Sequence, residues 1–546
     1  MIGALLIAPV AVPLLAAGLL VAVPPRRRLH RAVAIAASAT AGVTGVVLLP
    51  STLDGQVPSL AVGGWPPGFA IVLAADTLSA LMLCVTSVLV IAGLAIAAGT
   101  GDDTNRFYAP LVLVLAAGVG GALLTADLFN LFVFVEVMLA PSYALLTMTG
   151  GRDRVAASTV YMTVNLLAST TLLAGIALLY GVTGTVNLGE LAGAATSGGA
   201  ALAAGVVLLA LAVKAAVAPL HGWLPRSYPH APPAVAVLFS GLLTKIGIYG
   251  IIRIYSVLLD GTPRFRGIVM VAALLTMVVG VLGALGERSV RGVLSFDMVS
   301  QVGYILVGLA LFTAGGLAAA IFFMVQYVLV KASLFGCAAA IEVAGGTGRL
   351  DRLGGLARRE PLLAAAFMLG ALSLAGVPPL SGFVAKLGIV TAAVGEGDYL
   401  AGAVAVGVSL ATLLVMLRIW SIAFWGEPPR HRVHAKGIQA SDVPASDAHG
   451  HDVHGRGARA SDVPVRNAHA SGIRAASIPT KGTPTADGSA QELRPTRARG
   501  PVVGPAFALA LPSLILGLGA QPLLAAADSA AAGLLDLSAY IEAITR

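Results

Sequence analysis

One pattern fills the chain from end to end: stretches of about twenty apolar residues, rich in Ala, Leu, Val and Gly, separated by short polar or Gly/Pro-containing connections. Each stretch has the length an α-helix needs to cross the roughly 30 Å hydrocarbon core of a bilayer. Composition agrees, since 57% of the 546 residues are hydrophobic and 11% charged, against about half and a quarter in globular proteins. That excludes a water-soluble enzyme, a disordered tail protein and a disulfide-stapled secreted domain. The runs also lack the ten-residue alternation of a membrane β-barrel. The predicted class is an all-α polytopic membrane protein, and the formal net charge of +8 then reads as basic loops on one side of the membrane rather than as nucleic-acid binding.

About fourteen spans follow, at 2–23, 31–50, 70–98, 108–126, 128–149, 156–180, 199–224, 233–257, 267–285, 290–312, 315–344, 361–395, 400–425 and 501–525. Of the 34 Lys and Arg residues, 25 lie in or beside loops that follow odd-numbered spans, and only Arg264 and Arg266 in loops that follow even-numbered ones. Eleven of the 25 belong to one long loop and carry little weight, yet 14 against two still places the odd loops in the cytoplasm of a bacterial cell, with both termini outside. Arg26, Arg27, Arg28 and Arg31 follow the first apolar run instead of preceding it, so that run reads as a retained helix and not a cleavable signal. Cys84 and Cys337 sit in apolar runs, leaving no Cys spacing for zinc, an iron–sulfur cluster or a disulfide. No cofactor is expected.

Residues 426–500 form the one long polar stretch. It carries a degenerate repeat, HAKGIQASDVP from His434, HGRGARASDVP from His454 and HASGIRAASIP from His469. Without apolar bulk it is predicted to be a disordered cytoplasmic linker. His449, His451 and His454 have the chemistry of metal ligands, but a duplicated low-complexity linker is the simpler reading and no metal site is assigned.

Eight charges remain in or near the ends of apolar segments. Arg253, Glu342 and Arg418 lie near span ends, where long side chains reach the interface, and are expected to be structural. Glu136, Lys214, Lys245, Lys331 and Lys386 are central, each at a cost of about 3 kcal/mol at helix centre. One acid cannot neutralise four lysines. Burial and neighbouring like charge both favour a neutral lysine, so such groups can load and release protons, and a row of them joined by water is a proton path. Pro219 follows Lys214 by five residues, and Pro378 and Pro379 precede Lys386. Proline removes a backbone donor and breaks a helix, and broken helices in corresponding positions of two halves point to a transport path. The predicted organisation is helices 1–3 in 1–107, a five-helix repeat in 108–257, a second in 267–425, each broken in its fourth helix, and a last helix with its tail in 501–546. An odd-numbered repeat inverts topology. His221 and His230, near the cytoplasmic end of the broken seventh span, are candidate proton-entry groups. Asp76, Asp127 and Asp297 are expected at span ends or near interfaces, as caps or as the mouth of a cation path, and Asp297 joins the two histidines as a proton-entry or accessory candidate.

The stretches DLFNLFVFVEVMLAPSYALL with Glu136, KAAVAPLHGWLPRSYPHAPPAVAVLFSGLLTKIGIYG with Lys214 and Lys245, and LSLAGVPPLSGFVAKL with Lys386 resemble signatures of one family. It is the family of proton-translocating subunits shared by multisubunit Mrp-type Na+/H+ antiporters and respiratory complex I. FNLFVFVEVML and GGWPPGFAIVLAADTLSALM look more like the MrpD/MnhD branch of that family than its complex I branch. The resemblance covers nearly all of the chain outside 426–500. It implies a fourteen-helix fold with inverted five-helix repeats, Glu136 and Lys214 as a coupling pair, Lys245 as central relay and Lys386 as distal gate. It also implies assembly with other Mrp subunits and exchange of protons for Na+ or another monovalent cation. Gln326 and Tyr327 stand where this branch usually has histidines before Lys331, and Asp297 where SFH is common, so Lys331 or water is expected to carry more of the second half. The alternative is a membrane-arm subunit of complex I or a related membrane hydrogenase. An intramembrane enzyme finds no support, since HExxH, GxxxxGK[ST] and nucleophile motifs are missing.

Overall fold

A computed structural model describes residues 3–65, 70–195, 198–427 and 500–545. The polar stretch, with His449, His451 and His454, lies outside the described residues except at its ends. The helices are α1 (Ala8–Ala22), α2 (Arg27–Leu53), α3 (Thr77–Thr100), α4 (Tyr108–Leu124), α5 (Leu128–Thr147), α6 (Arg152–Thr183) and α7 (Gly198–Lys214). There follow α8 (Trp223–Ser227), α9 (Pro233–Gly241), α10 (Leu243–Leu259), α11 (Pro263–Gly286), α12 (Val290–Leu311) and α13 (Ala314–Gly345). Last come α14 (Leu356–Arg359), α15 (Pro361–Ala375), α16 (Ser381–Gly395), α17 (Tyr399–Ile419), α18 (Gly500–Leu518), α19 (Gln521–Leu535) and α20 (Ser538–Thr545). The multi-pass class is therefore as the apolar runs predict.

Among the described residues, eleven helical stretches are long and apolar enough to cross a membrane, or twelve if the bent pair α19 and α20 counts as one. The expected fourteen spans differ from this in definite ways. The fourth is a helix of only 17 residues, and the seventh and twelfth are interrupted, so no single helix in them is long enough. The third begins at Thr77 rather than 70, because Val72–Ala74 (β2) pairs antiparallel with Ser59–Ala61 (β1) and Asp76 then caps α3, accepting from the Ser79 amide at 2.9 Å. The eighth is also broken, at Leu242 between α9 and α10. After the break in the seventh span only the five-residue α8 follows, whereas the twelfth continues as the 15-residue α16.

Local structure recurs at a constant spacing of 162 residues. The N-caps Asp127 and Ser289, the helices α6 and α13, and the left-handed C-terminal glycines Gly184 (φ 77°) and Gly346 (φ 70°) all correspond at that interval. So do the isolated bridges of Asp127 with Asn187 and of Ser289 with Arg349. Packing recurs as well: Gly118 and Gly121 of α4 admit Met138 and Phe134 of α5, and Gly280 and Gly283 of α11 admit Ser300 and Phe296 of α12. A Cβ on Gly118 or Gly280 would strike the facing backbone, which is how small residues let membrane helices approach.

Burial sorts the helices. The best apolar windows of Pro233–Leu259 and Ala314–Gly345 are 100% buried, whereas that of Gly3–Ala22 is 28% buried. The two fully enclosed spans carry Lys245 and Lys331, so these charges face protein and not lipid.

Candidate functional site

Two side-chain clusters form around the buried lysines. In the first, Lys214 ends α7 just before the break, and its Nζ donates to Ser169 Oγ of α6 at 2.7 Å. Ser169 in turn donates to Glu136 Oε1 of α5. Glu136 and Lys214 are thus joined by one hydroxyl and do not form a direct ion pair. The broken backbone is covered by side chains: the Ala218 amide donates to Thr276 Oγ1 at 3.0 Å and Trp223 Nε1 donates to the Val213 carbonyl at 2.9 Å. Pro219 lies inside this turn.

The second cluster is larger. Lys331 Nζ donates to Asp297 Oδ2 at 2.5 Å, with both side chains at most 1% exposed. Gln301 Nε2 donates to the other carboxylate oxygen at 3.0 Å. Lys245 donates to the Ser240 carbonyl at 2.8 Å, a group in the turn at the α9–α10 break, and to Thr244 Oγ1 at 3.2 Å. Its Nζ also lies 4.2 Å from the centre of the Tyr327 ring, and that of Lys331 lies 6.0 Å from the same ring, a distance at which a cation is attracted to the ring face. Tyr327, Phe323 and Tyr304 follow ring to ring at 5.8 and 5.4 Å. Lys386 sits 4.6 Å over Tyr304 and donates to Ser409 Oγ at 3.3 Å. Ser409 donates to the Ala375 carbonyl at 2.6 Å, so the hydroxyl under Lys386 also covers the end of α15 before the Pro378–Pro379 break. No direct hydrogen bond joins the two clusters among the described residues, although Lys214 and Ala215 lie against Gly247, two residues beyond Lys245.

Three expectations change. Asp297 is not at a span end but two turns into α12 and 1% exposed, where α13 supplies its lysine. The central set therefore holds two acids for four lysines. Arg253 does not reach an interface: it is 2% exposed and pairs with Asp76 at 2.7 Å beneath Tyr540 of α20, whose ring centre is 4.7 Å away. Asp76 and Asp127 do cap α3 and α5, and burial pushes the Asp127 carboxyl up from its ordinary range against the pull of the Asn130 amide it accepts. Glu342 pairs with Arg291, and Arg418 donates to the Leu285 and Glu287 carbonyls at the end of α11.

His221 lies half-buried edge-on to Phe296, with its Nδ1 buried and without a partner. The His230 side chain is exposed, and its carbonyl accepts from Arg154 at 3.0 Å. Among the described residues no three His, Cys, Asp or Glu side chains gather as metal ligands. Ser169, Tyr304 and Ser409 carry no sequence signal by type, but Ser169 stands 162 residues before Lys331 on the equivalent helix, so the internal repeat could have singled it out.

Comparison with known proteins agrees with this architecture. The family model described as NADH:quinone oxidoreductase/Mrp antiporter, TM, matches residues 125–413. The D subunit of the Na(+)/H(+) antiporter from Alkalihalophilus pseudofirmus is 37% identical over 430 residues, covering 78% of this chain and 87% of that one. Its counterpart from Bacillus subtilis is 36% identical over 444 residues, covering 79% and 90%. A chain in the structure of the Mrp complex from Dietzia sp. DQ12-45-1b is 45% identical with a TM-score of 0.86, covering 100% of this chain and 99% of its own. A chain of Thermus thermophilus respiratory complex I, at 21% identity and a TM-score of 0.72, covers 98% of this chain and 100% of its own and shares the fold. With more than half of its length matched by the family model and relatives above 30% identity across three quarters of it, the chain belongs to the NADH:quinone oxidoreductase/Mrp antiporter transmembrane family.

Proposed function

We propose that the chain is the proton-conducting subunit of a multisubunit antiporter that exchanges protons for Na+ or another monovalent cation. Protons move along Glu136, Lys214, Lys245, Lys331 and Lys386, with His221 and His230 near the entry and Asp297 tuning the second half. The observation that carries this reading is the Lys214–Ser169–Glu136 chain. Its hydroxyl accepts from the lysine and donates to the carboxylate, so one proton leaving Nζ and one leaving Oγ convert Lys+ and Glu– into two neutral groups with Ser169 unchanged. A change in their separation then alters the charge on Lys214 and gates transfer toward Lys245.

The reading includes two inverted repeats at 108–257 and 267–425, flanked by 1–107 and 501–546. It places odd loops in the cytoplasm and both termini outside, and it requires the other subunits of an Mrp-type complex. With the whole complex in everted vesicles, Na+-dependent dissipation of the proton gradient should vanish for Glu136→Ala and for Lys214→Ala while assembly persists. Normal antiport in both variants refutes it. The family description also spans quinone oxidoreductases, and co-purification with redox subunits instead of antiporter subunits would select that reading.

A further inference from the structure

We infer that the cavity between the ends of α1, α2, α3 and α4 binds the headgroup of an anionic phospholipid through its phosphate and a neighbouring hydroxyl. The cavity holds about 230 Å³ and is lined by Arg27, His30, Arg31, Asp103, Arg106 and Tyr108, among others. Apart from Leu94 of α3, the walls are helix ends or short connections, which puts the opening at the boundary between hydrocarbon and water. Neither of the clusters that hold the buried lysines reaches it.

Charge comes first. Arg27 and Arg106 are exposed, and the Arg27 side chain has no ion pair or hydrogen bond among the described residues. Arg106 leans back to donate to the Val21 carbonyl at 3.2 Å. Arg31 is paired with Asp103, so the three guanidinium groups and one carboxylate leave an excess of two positive charges. Arginine forks match the oxygens of a phosphate, and a basic pocket between membrane helices is a natural seat for an anionic headgroup.

Unmet hydrogen bonds come second. Tyr108 is fully buried and His30 is 8% exposed, yet Tyr108 Oη and His30 Nε2 have no partner, nor does the buried Asp103 Oδ1. Each such orphan carries the full desolvation penalty of its group unless something fills the place of water. A bare phosphate would set its own charge against Asp103. A headgroup that presents its phosphate to Arg27 and Arg106 and a separate hydroxyl to Asp103 satisfies both ends. A lipid fits better than a soluble ester, because Leu19 and Val21 on the adjoining α1 are 54% and 45% exposed and offer acyl chains an apolar wall.

The test uses the full chain in its complex, stripped of lipid in neutral detergent and titrated with short-chain phosphatidylglycerol. Phosphatidylcholine and inorganic phosphate serve as comparators, and native mass spectrometry with thermal stabilisation gives the readout. Saturable binding of phosphatidylglycerol is expected, with little from phosphatidylcholine and no competition from millimolar phosphate. Arg27→Gln and Arg106→Gln should each weaken binding about fivefold, and the pair about 25-fold. Tyr108→Phe, which removes one oxygen and leaves the packing, should weaken it several-fold and keeps the idea testable if the double variant fails to assemble. Unchanged affinity in Tyr108→Phe and in whichever arginine variants assemble overturns the site, and displacement of the lipid by inorganic phosphate overturns the lipid assignment in favour of a soluble phosphate.

Discussion

In the first half of the molecule Lys214 reaches Glu136 through the hydroxyl of Ser169; 162 residues on, the position of Ser169 is occupied by Lys331, which meets Asp297 directly at 2.5 Å. Both arrangements rest on the same frame, α5 with α6 and α12 with α13, capped and bounded at matching positions. At that spacing Glu136 corresponds to Met298, Asp297 to Val135 and Lys214 to Gly376, so several side-chain differences on one frame separate a hydroxyl-bridged acid and base from a closed ion pair. A buried pair resists separation, because removing one partner strands the other, whereas a bridging hydroxyl lets charge appear and vanish with little rearrangement. Under the proposed function the hydroxyl-bridged pair suits the loading and release of a proton, while the ion pair holds Lys331 within 6.0 Å of the Tyr327 ring that Lys245 also faces.

The largest expected effect tests that contrast in stability. Lys331→Ala should destabilise the complex by about 3–5 kcal/mol by leaving the buried Asp297 without its counter-charge and with only the Gln301 amide as a partner, with recovery on adding Asp297→Asn. Lys214→Ala, which leaves Glu136 bonded to Ser169, should shift thermal unfolding by no more than about 1.5 kcal/mol. Equal shifts would show that the two halves hold their lysines alike. Next in size is the shared frame itself. Gly118→Ala and Gly280→Ala should each cost about 1–3 kcal/mol through overpacking against α5 and α12, and strongly unequal losses would show that the repeated glycines are not equivalent.

A third prediction concerns the bridge. Ser169→Ala should slow Na+-dependent gradient dissipation about tenfold, the worth of one hydrogen bond, while Ser169→Thr retains most of the rate. Equal rates for Ala and wild type would remove Ser169 from the path. The smallest effect belongs to the caps. Because burial pushes the Asp127 carboxyl up, the folded state holds that proton more tightly than the unfolded chain, and the associated stability is present at low pH and lost as pH rises through its titration. Asp127→Ser, the cap type found at Ser289, should flatten that part of the stability profile without changing transport.

Much of this was legible in residue order because it depends on local chemistry. Apolar runs of span length, prolines beside lysines and a one-sided excess of arginine are read directly, and the breaks after Lys214 and before Lys386 follow from them. Misplaced were Asp297 and Arg253, both judged by their position along a span. Position along a helix says how deep a residue lies, but not what packs beside it. Asp297 is covered by α13, and Arg253 by Asp76 and by Tyr540 from the far end of the chain. The break at Leu242 was missed for a related reason: no proline marks it, and the ammonium of Lys245 in the first turn of α10 reaches back to the Ser240 carbonyl near the end of α9.

The sequence alone determined that the chain lives in a membrane, roughly where it crosses, where two of its helices break and five of the charges it keeps in the apolar interior, because length, hydropathy and proline act over a few turns. Only the tertiary structure decided what each charge meets. The partner hydroxyl of Glu136 lies 33 residues away and the partner lysine of Asp297 lies 34, each on the next helix, and helix rotation and packing bring them together.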